Sequence, residues 1–104
     1  MTSAALRDAA EADLVEHCEY LSQESQAVAE RFLDRVWDTI EFIRAAPTVG
    51  HLLASRDARL RGVRYKYVRS FPNRAVFYAV DRNRIEIVAV LHIAGRISRE
   101  LRRR

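Results

Sequence analysis

The sequence is poor in cysteine and glycine. Its 104 residues include one cysteine, Cys18, so an internal disulfide is excluded. The three glycines, Gly50, Gly62 and Gly95, are isolated from one another, which excludes a glycine-rich phosphate-binding loop. The N-terminus lacks the basic start, apolar run and cleavage site of a signal peptide. Together these features predict a cytoplasmic protein.

Long apolar runs and clustered metal ligands are also missing. The stretch 85–91 is the longest apolar candidate, and Glu86 interrupts it, so a membrane span is excluded. His17, His51 and His92 lack the short spacings that metal sites favour. We therefore expect no metal, no cofactor and no membrane partner.

Lysine is almost absent, and the two signs of charge are segregated along the chain. Lys66 is the only lysine among 18 basic side chains. Residues 1–55 carry four arginines against ten carboxylates, a balance of −6, whereas residues 56–104 carry fourteen basic side chains against four carboxylates, a balance of +10. A basic pole of this kind attracts phosphates or an acidic protein partner.

The length and the first third of the chain predict one domain that begins with a helix. About half of the residues are apolar, which suits a single compact domain over residues 1–104. Asp8 and Glu11 have the spacing of a capping box, with Asp8 as the N-cap residue. Apolar side chains then recur at helical spacing to about Ser22, namely Ala10, Leu14, Cys18 and Leu21.

A second apolar series predicts a second helix with a wider buried face. Its members are Ala29, Phe32, Leu33, Val36, Trp37, Ile40 and Ile43. Pro47 and Gly50 stop this helix near Ala45 or Ala46. The polar connection 22–25 between the two helices predicts an antiparallel hairpin.

The periodicity changes from helical to alternating after residue 60. Segments 63–68, 75–80 and 85–92 alternate or are rich in β-formers, and turn residues separate them at 71–73 and 81–84. Three consecutive strands with short turns form an antiparallel meander. Because the helices precede the strands, we predict an α+β fold in which the helical hairpin covers one face of the sheet.

The order of these elements, together with several short strings, resembles the RelE/ParE toxin superfamily over nearly the whole chain. The strings are Ala12-Asp13-Leu14, Tyr20-Leu21, Phe32 with Ile40 and Ile43, Pro47-Thr48-Val49-Gly50, Leu60-Arg61-Gly62-Val63-Arg64, Phe71-Pro72, Val76-Phe77-Tyr78 and Val90-Leu91-His92. Members of the superfamily usually begin with a strand that joins the sheet. Here the segment 2–6 is rich in alanine, so we expect that strand to be short or frayed.

Two activities divide the superfamily, and the resemblance places candidate residues for each. RelE-like toxins cleave mRNA on the ribosome with basic side chains and a C-terminal tyrosine or histidine. Lys66 and Arg74 match two of their catalytic cations, and Arg96 lies near a third. However, Val68 replaces the second catalytic lysine, and no tyrosine follows Tyr78. Such a cut needs a proton acceptor as well as cations, so this branch is the alternative reading.

ParE-like toxins instead bind DNA gyrase and stabilise its cleaved complex with DNA, without being enzymes themselves. Phe71-Pro72 and Val90-Leu91-His92 are, by resemblance, more usual in this branch. The resemblance therefore implies a type II, plasmid stabilisation-type toxin that inhibits gyrase and forms a hetero-oligomer with a ParD-like antitoxin. The candidate target-binding residues are Arg64, Lys66, Arg74, His92 and Arg96. For His92, a purely structural role, a hydrogen bond within the sheet, is the favoured alternative explanation.

A third reading is a nucleic-acid-binding module that is not an enzyme. Its basis is the presence of Tyr65, Tyr67, Phe77 and Tyr78 among arginines on predicted strands. Alternation puts Tyr65 and Tyr67 on the same face as Val63, which favours burial. Exposed aromatic rings beside the strand cations would support this reading. The closing run 102–104 predicts a solvated tail.

Overall fold

The predicted α+β class is confirmed, with a larger sheet than the sequence indicated. The computed structural model describes residues 2–93 and 97–102. The elements are β1 (Ser3–Leu6), α1 (Asp8–Ser22), α2 (Gln26–Ala45), β2 (His51–Leu52), a 3-10 helix (Ala58–Leu60), β3 (Arg64–Val68), β4 (Phe71–Asp81), β5 (Arg84–His92) and α3 (Ile97–Arg102). The five strands form one sheet in the order β1-β5-β4-β3-β2. None of these described helices has the length and apolar character that crossing a membrane requires.

Helix α1 begins at Asp8 as expected, but the predicted capping box is wrong. The N-cap residue is Arg7, and no side chain caps the helix there. The backbone N–H of Arg7 donates to Ile87 O at 3.0 Å, so pairing with β5 continues up to the residue before the helix. Asp8 and Glu11 therefore lie in the first helical turn, where their charge favours the helix dipole.

Helix α2 starts and ends where local signals indicate, and its buried face is narrower than predicted. Ser25 caps it by accepting from the backbone N–H of Val28 at 3.3 Å, and its last residue is Ala45. Leu33 and Trp37, predicted for the buried face, are 36% and 45% exposed. Each follows a buried residue by one position, which turns its side chain about 100° away from the core. The buried members are Ala29, Phe32, Val36, Thr39, Ile40 and Ile43.

The first reversal of the meander lies earlier than predicted. The sequence predicts a turn at 71–73, whereas β4 already begins at Phe71, and the chain reverses at Arg69 and Ser70. Ser70 has a φ of 70°, the left-handed conformation that tight turns require. Pro72 fits in this strand because it pairs with neither neighbour: pairing with β3 stops at Phe71, and pairing with β5 starts at Arg74. The backbone N–H that proline lacks is therefore not needed there.

The sheet has two more strands than the predicted meander, one at each edge. Strand β1 pairs parallel with β5 over four residues, in keeping with the expected short first strand. It forms because Ala4 and Leu6 pack against the core beneath the helices. Strand β2 has two residues and pairs with β3. A strand this short carries no periodic signal, so the sequence could not reveal it.

Apolar side chains from the two faces of the sheet form two cores. The core on the helical hairpin side contains Ala10, Leu14, Phe32, Val36, Ile40, Ile43, Val68, Val76, Tyr78, Ile85, Ile87 and Val90. The core on the opposite side contains Leu60, Val63, Ala75, Phe77, Val88, Ala89 and Leu101. Leu101 of α3 is 3% exposed. The segment before the closing arginines is therefore packed. Arg102, the first residue of the predicted solvated tail, is exposed, and residues 103 and 104 lie outside the described part.

Candidate functional site

The sheet register brings four of the five candidate residues to the face that carries the helical hairpin. Arg74 lies directly opposite His92, and Lys66 lies opposite Val76, a member of the hairpin-side core. Arg64 lies opposite the buried Tyr78. Directly paired residues point to the same side of a sheet, so these candidates share one face. The fifth candidate, Arg96, lies outside the described residues.

Arg74 is held in place by two residues of the helical hairpin. Its guanidinium carbon lies 5.6 Å from the centroid of the Phe32 ring, which is fully buried. Its Nε–H donates to Nδ1 of His17 at 3.2 Å. A cation over an aromatic face gains electrostatic attraction, more so when water is excluded. Arg74 is therefore a fixed part of the packing between α1, α2 and β4.

His17 also completes the outer edge of β5 where β1 no longer covers it. Strand β1 reaches only Ile87. Three residues further along, the N–H of Val90 donates to Asp13 at 3.0 Å, and its carbonyl lies 2.8 Å from Nε2 of His17. Nε2 must carry the proton to donate to a carbonyl, which leaves Nδ1 as the acceptor for Arg74. Two side chains four residues apart on α1 thus replace a neighbouring strand.

Burial keeps His17 neutral in this arrangement. Desolvation lowers the pKa of His17 below the ordinary value of 6.5, and the nearby Arg74 lowers it further. The bond to Val90 and the carboxylates of Asp13 and Glu16 oppose this shift without cancelling it. Protonation of Nδ1 would also remove the acceptor for Arg74 and set two cations against each other. The neutral ring is therefore the form that the fold selects.

We expect His17 to make the stability of the fold depend on pH. Because its pKa is lower in the folded state, the unfolded chain binds more protons below about pH 6.5. Its contribution to stability should be complete above that pH and decrease as the pH falls through the folded pKa. The free energy of unfolding, measured with denaturant between about pH 5 and pH 7.5, should show this slope. His17→Gln should flatten it, and a slope unchanged in that variant, or lost in the exposed control His51→Gln, would contradict the assignment.

Lys66 lies at the rim of an open cavity between α2 and β3. Its ammonium nitrogen is 4.9 Å from the ring centroid of Phe42, whose side chain is 54% exposed. The cavity measures about 320 Å³, and Asp38, Thr39, Phe42, Lys66, Tyr67 and Arg69 line it. Asp38 is paired with Arg35 at 2.9 Å. Two cations and an accessible aromatic ring at one cavity make a surface that can bind an acidic or apolar partner group.

The contacts of Arg64 and Val68 show that both side chains have structural roles. The Arg64 guanidinium donates to the carbonyls of Thr48 at 3.2 Å and Gly50 at 2.9 Å, which fixes the segment that leads into β2. The Tyr78 hydroxyl holds the same segment by donating to Pro47 and accepting from Gly50. Val68 is 1% exposed in the hairpin-side core.

The strand aromatics and the candidate cations lie on different faces of the sheet. Tyr65 and Tyr67 share a face as alternation predicts, and that face is opposite the helical hairpin. There the Tyr65 ring packs 5.6 Å from Phe77 and 5.3 Å from His51. Tyr67 is 43% exposed, which corrects the expectation of burial. A stacking surface for nucleic acid needs aromatic rings interleaved with cations, and the sheet separates the two.

Sequence reasoning missed several residues of this region. His17 and Phe42 contact the two candidate cations, and Arg69 and Asp38 line the cavity. The four-residue spacing of Asp13 and His17 was visible but points to no particular partner without the sheet. Among residues 2–93 and 97–102, no three side chains of histidine, cysteine, aspartate or glutamate are grouped as metal ligands would be.

Comparison with known proteins identifies the family. A model of the family described as "ParE toxin of type II toxin-antitoxin system, parDE" matches residues 5–96. A solved structure described as the chromosomal ParDE TA system from P. aeruginosa has the same fold, with a TM-score of 0.71 and 17% identity. That alignment covers 89% of this chain and 97% of the solved one. A search of curated proteins found no match. Because the family model covers most of the sequence, the chain belongs to the ParE toxin family of type II toxin–antitoxin systems.

Proposed function

We propose that this toxin acts in the cytoplasm by binding DNA gyrase and trapping its cleaved complex with DNA, and that a ParD-like antitoxin neutralises it. Membership of the ParE family supports a type II toxin. The described solved structure is named as a ParDE system, which supports an antitoxin as partner. The choice of gyrase over the ribosome depends on the chemistry that this chain offers near Lys66 and Arg74.

The observation that carries the proposal is the burial of Val68. By resemblance, this position corresponds to the second catalytic lysine of RelE-like nucleases. The Val68 side chain is 1% exposed and packs in the hairpin-side core. A lysine would have to bury an ammonium group there at a cost of several kcal/mol. The backbone at this position therefore suits an apolar side chain rather than a cation that contacts RNA.

His17, the histidine that contacts Arg74, is not available for proton transfer. Both ring nitrogens of His17 are engaged, one by Arg74 and the other by Val90. His92 is exposed and lies opposite Arg74 in the ladder. Within residues 2–93 and 97–102, His92 is the neighbour that favours the alternative, a ribosome-dependent mRNA nuclease, because an exposed imidazole is a candidate general base.

The surface around Lys66 instead suits binding. Phe42 is 54% exposed, and Lys66 and Arg69 add positive charge beside it. Exposed aromatic rings together with cations are enriched where proteins bind other proteins. This surface is our candidate for the contact with gyrase.

A pair of assays separates the two functions. The purified chain should inhibit supercoiling by gyrase and accumulate cleaved DNA, while mRNA on translating ribosomes stays intact. The double variant Lys66→Ala, Arg69→Ala should weaken gyrase inhibition about tenfold or more, because two contacts to the target are lost. The exposed Arg56 provides the control, since Arg56→Ala removes a charge elsewhere and should inhibit like the unmodified chain. The assays use gyrase from the toxin's own host.

Two results would contradict the proposal in whole or in part. Cleavage of mRNA by the unmodified chain, abolished by His92→Ala, would replace the gyrase proposal with the nuclease. Equal inhibition of gyrase by the double variant and the unmodified chain would remove the Lys66 surface from the proposal.

A further inference from the structure

A second cavity lies on the opposite side of the sheet from Lys66. It measures about 170 Å³, and its apolar lining consists of Leu60, Val63, Ala79, Val88 and Leu101. Four arginines surround this lining: Arg7, Arg59, Arg61 and Arg102. They come from the end of β1, the 3-10 helix and the residue after it, and the end of α3. We refer to it as the arginine cavity.

The carboxylates beside the arginine cavity do not balance its charge. Arg59 and Arg102 share one carboxylate, Asp57, at 3.0 and 4.0 Å. Arg7 donates to Glu86 from Nε at 2.8 Å. Among these six side chains, four guanidinium groups and two carboxylates leave a surplus of two positive charges. Converging like charges at an apolar pocket raise the local potential, and a negatively charged ligand relieves it.

Among the four arginines of the cavity, Arg61 has the side chain that is available to bind a ligand. Its side chain is exposed, and within the described residues it has no hydrogen bond or ion pair. Arg59 and Arg7 use their side chains on Asp57 and Glu86. A guanidinium group presents a planar set of donors that matches a carboxylate with two parallel bonds. Arg61 is therefore the arginine from which a ligand gains most.

The combination of an apolar lining and an arginine rim specifies the occupant. A peptide that places carboxylates on either side of an apolar side chain satisfies both at once. A nucleic-acid backbone supplies the negative charge but no apolar group to fill the lining. We propose that the arginine cavity binds a segment of the antitoxin in which acidic residues flank an apolar side chain. This inference rests on the proposed function, in which the chain has an antitoxin partner.

The test compares charge reversal at two exposed arginines on opposite sides of the sheet. The full chain and the product of the open reading frame next to its gene, tested as the candidate antitoxin, are purified separately, and their affinity is measured by calorimetry. Arg61→Glu should weaken binding at least about tenfold, the size of one lost charge-assisted contact. Arg61→Ala should weaken it less, and added salt should weaken the unmodified pair more than either variant. Arg31→Glu, on α2, makes the same charge change and should bind like the unmodified chain.

Several results would overturn the inference. They are equal affinity of Arg61→Glu and the unmodified chain, equal loss in Arg31→Glu, or an unmodified chain that binds no such neighbour. Loss of gyrase inhibition in Arg61→Glu with intact antitoxin binding would assign the arginine cavity to the target instead. Failure of the gyrase proposal can be told apart from failure of this inference, because the two are measured separately. Even if the chain has no effect on gyrase, Arg61→Glu can still weaken its binding to the antitoxin.

Discussion

Expression of this chain alone in bacteria should sharply reduce the number of viable colonies, and coexpression of its antitoxin should restore them. This expectation follows from the proposed target, because gyrase trapped on cleaved DNA would turn each binding event into a break, and a small amount of toxin would have a large effect. The proposed antitoxin would act by mass action, because a tightly bound partner removes the free toxin. Colony counts after induction, with and without the neighbouring gene, provide the measurement.

The control for this experiment is a check that the expressed chain is soluble. The chain must be detected in the soluble fraction before colony counts are interpreted, since an insoluble toxin is harmless for a trivial reason. Normal growth despite confirmed soluble expression would contradict an active toxin. The double variant Lys66→Ala, Arg69→Ala should be less toxic at equal expression, which connects survival to the surface beside Phe42.

Phe32→Ala should destabilise the fold by about 3–5 kcal/mol, the usual range for removing a buried aromatic ring. The Phe32 side chain is fully buried, and three neighbouring side chains pack against its ring. Its ring centroid lies 5.2 Å from the Phe71 ring and 5.5 Å from the His17 ring, and Arg74 stacks on it. The loss therefore combines an empty cavity with a less well held cation. Denaturant titration measures the change in the free energy of unfolding.

The neighbouring Leu33 is the matched control, because it lies on the same helix and is 36% exposed. Leu33→Ala should cost well under half of the Phe32→Ala value, since surrounding water already covers part of the side chain. A domain of this size is stable by about 5–15 kcal/mol, so Phe32→Ala leaves little margin. Similar midpoints for both variants and the unmodified chain would mean that the buried face of α2 is wrongly assigned.

The elements that the sequence predicted well are those with strong local signals. Helix α2 ends at Ala45 because Pro47 cannot continue a helix, whatever surrounds it. Alternation placed Tyr65 and Tyr67 on one face of β3, and the pairing register agrees. The capping box at Asp8 failed because β1 extends its pairing to Arg7 and leaves that residue as the N-cap. A local motif was overridden there by a contact with β5, about eighty residues away.

The sequence predicted residues that belong to the candidate site, but not which side chains contact one another there. The resemblance selected Lys66 and Arg74, and both lie on the hairpin side of the sheet. It could not tell that Arg74 is bonded to His17, because that contact joins α1 to β4 across the fold. The arginine cavity was also hidden, since the four arginines of its rim come from three separate segments of the chain.

The sequence alone determined that two helices precede a run of strands, that charge is divided into an acidic first half and a basic second half, and that the chain resembles ParE-like toxins. These properties depend on residue types and on periodicity over a few positions. Only the tertiary structure decided that Val68 is buried, that the cations and the tyrosines of β3 lie on opposite faces, and that Arg61 lies at the rim of an apolar cavity. The reason is that burial and clustering depend on which distant segments pack together, and strand pairing between remote residues fixes that packing.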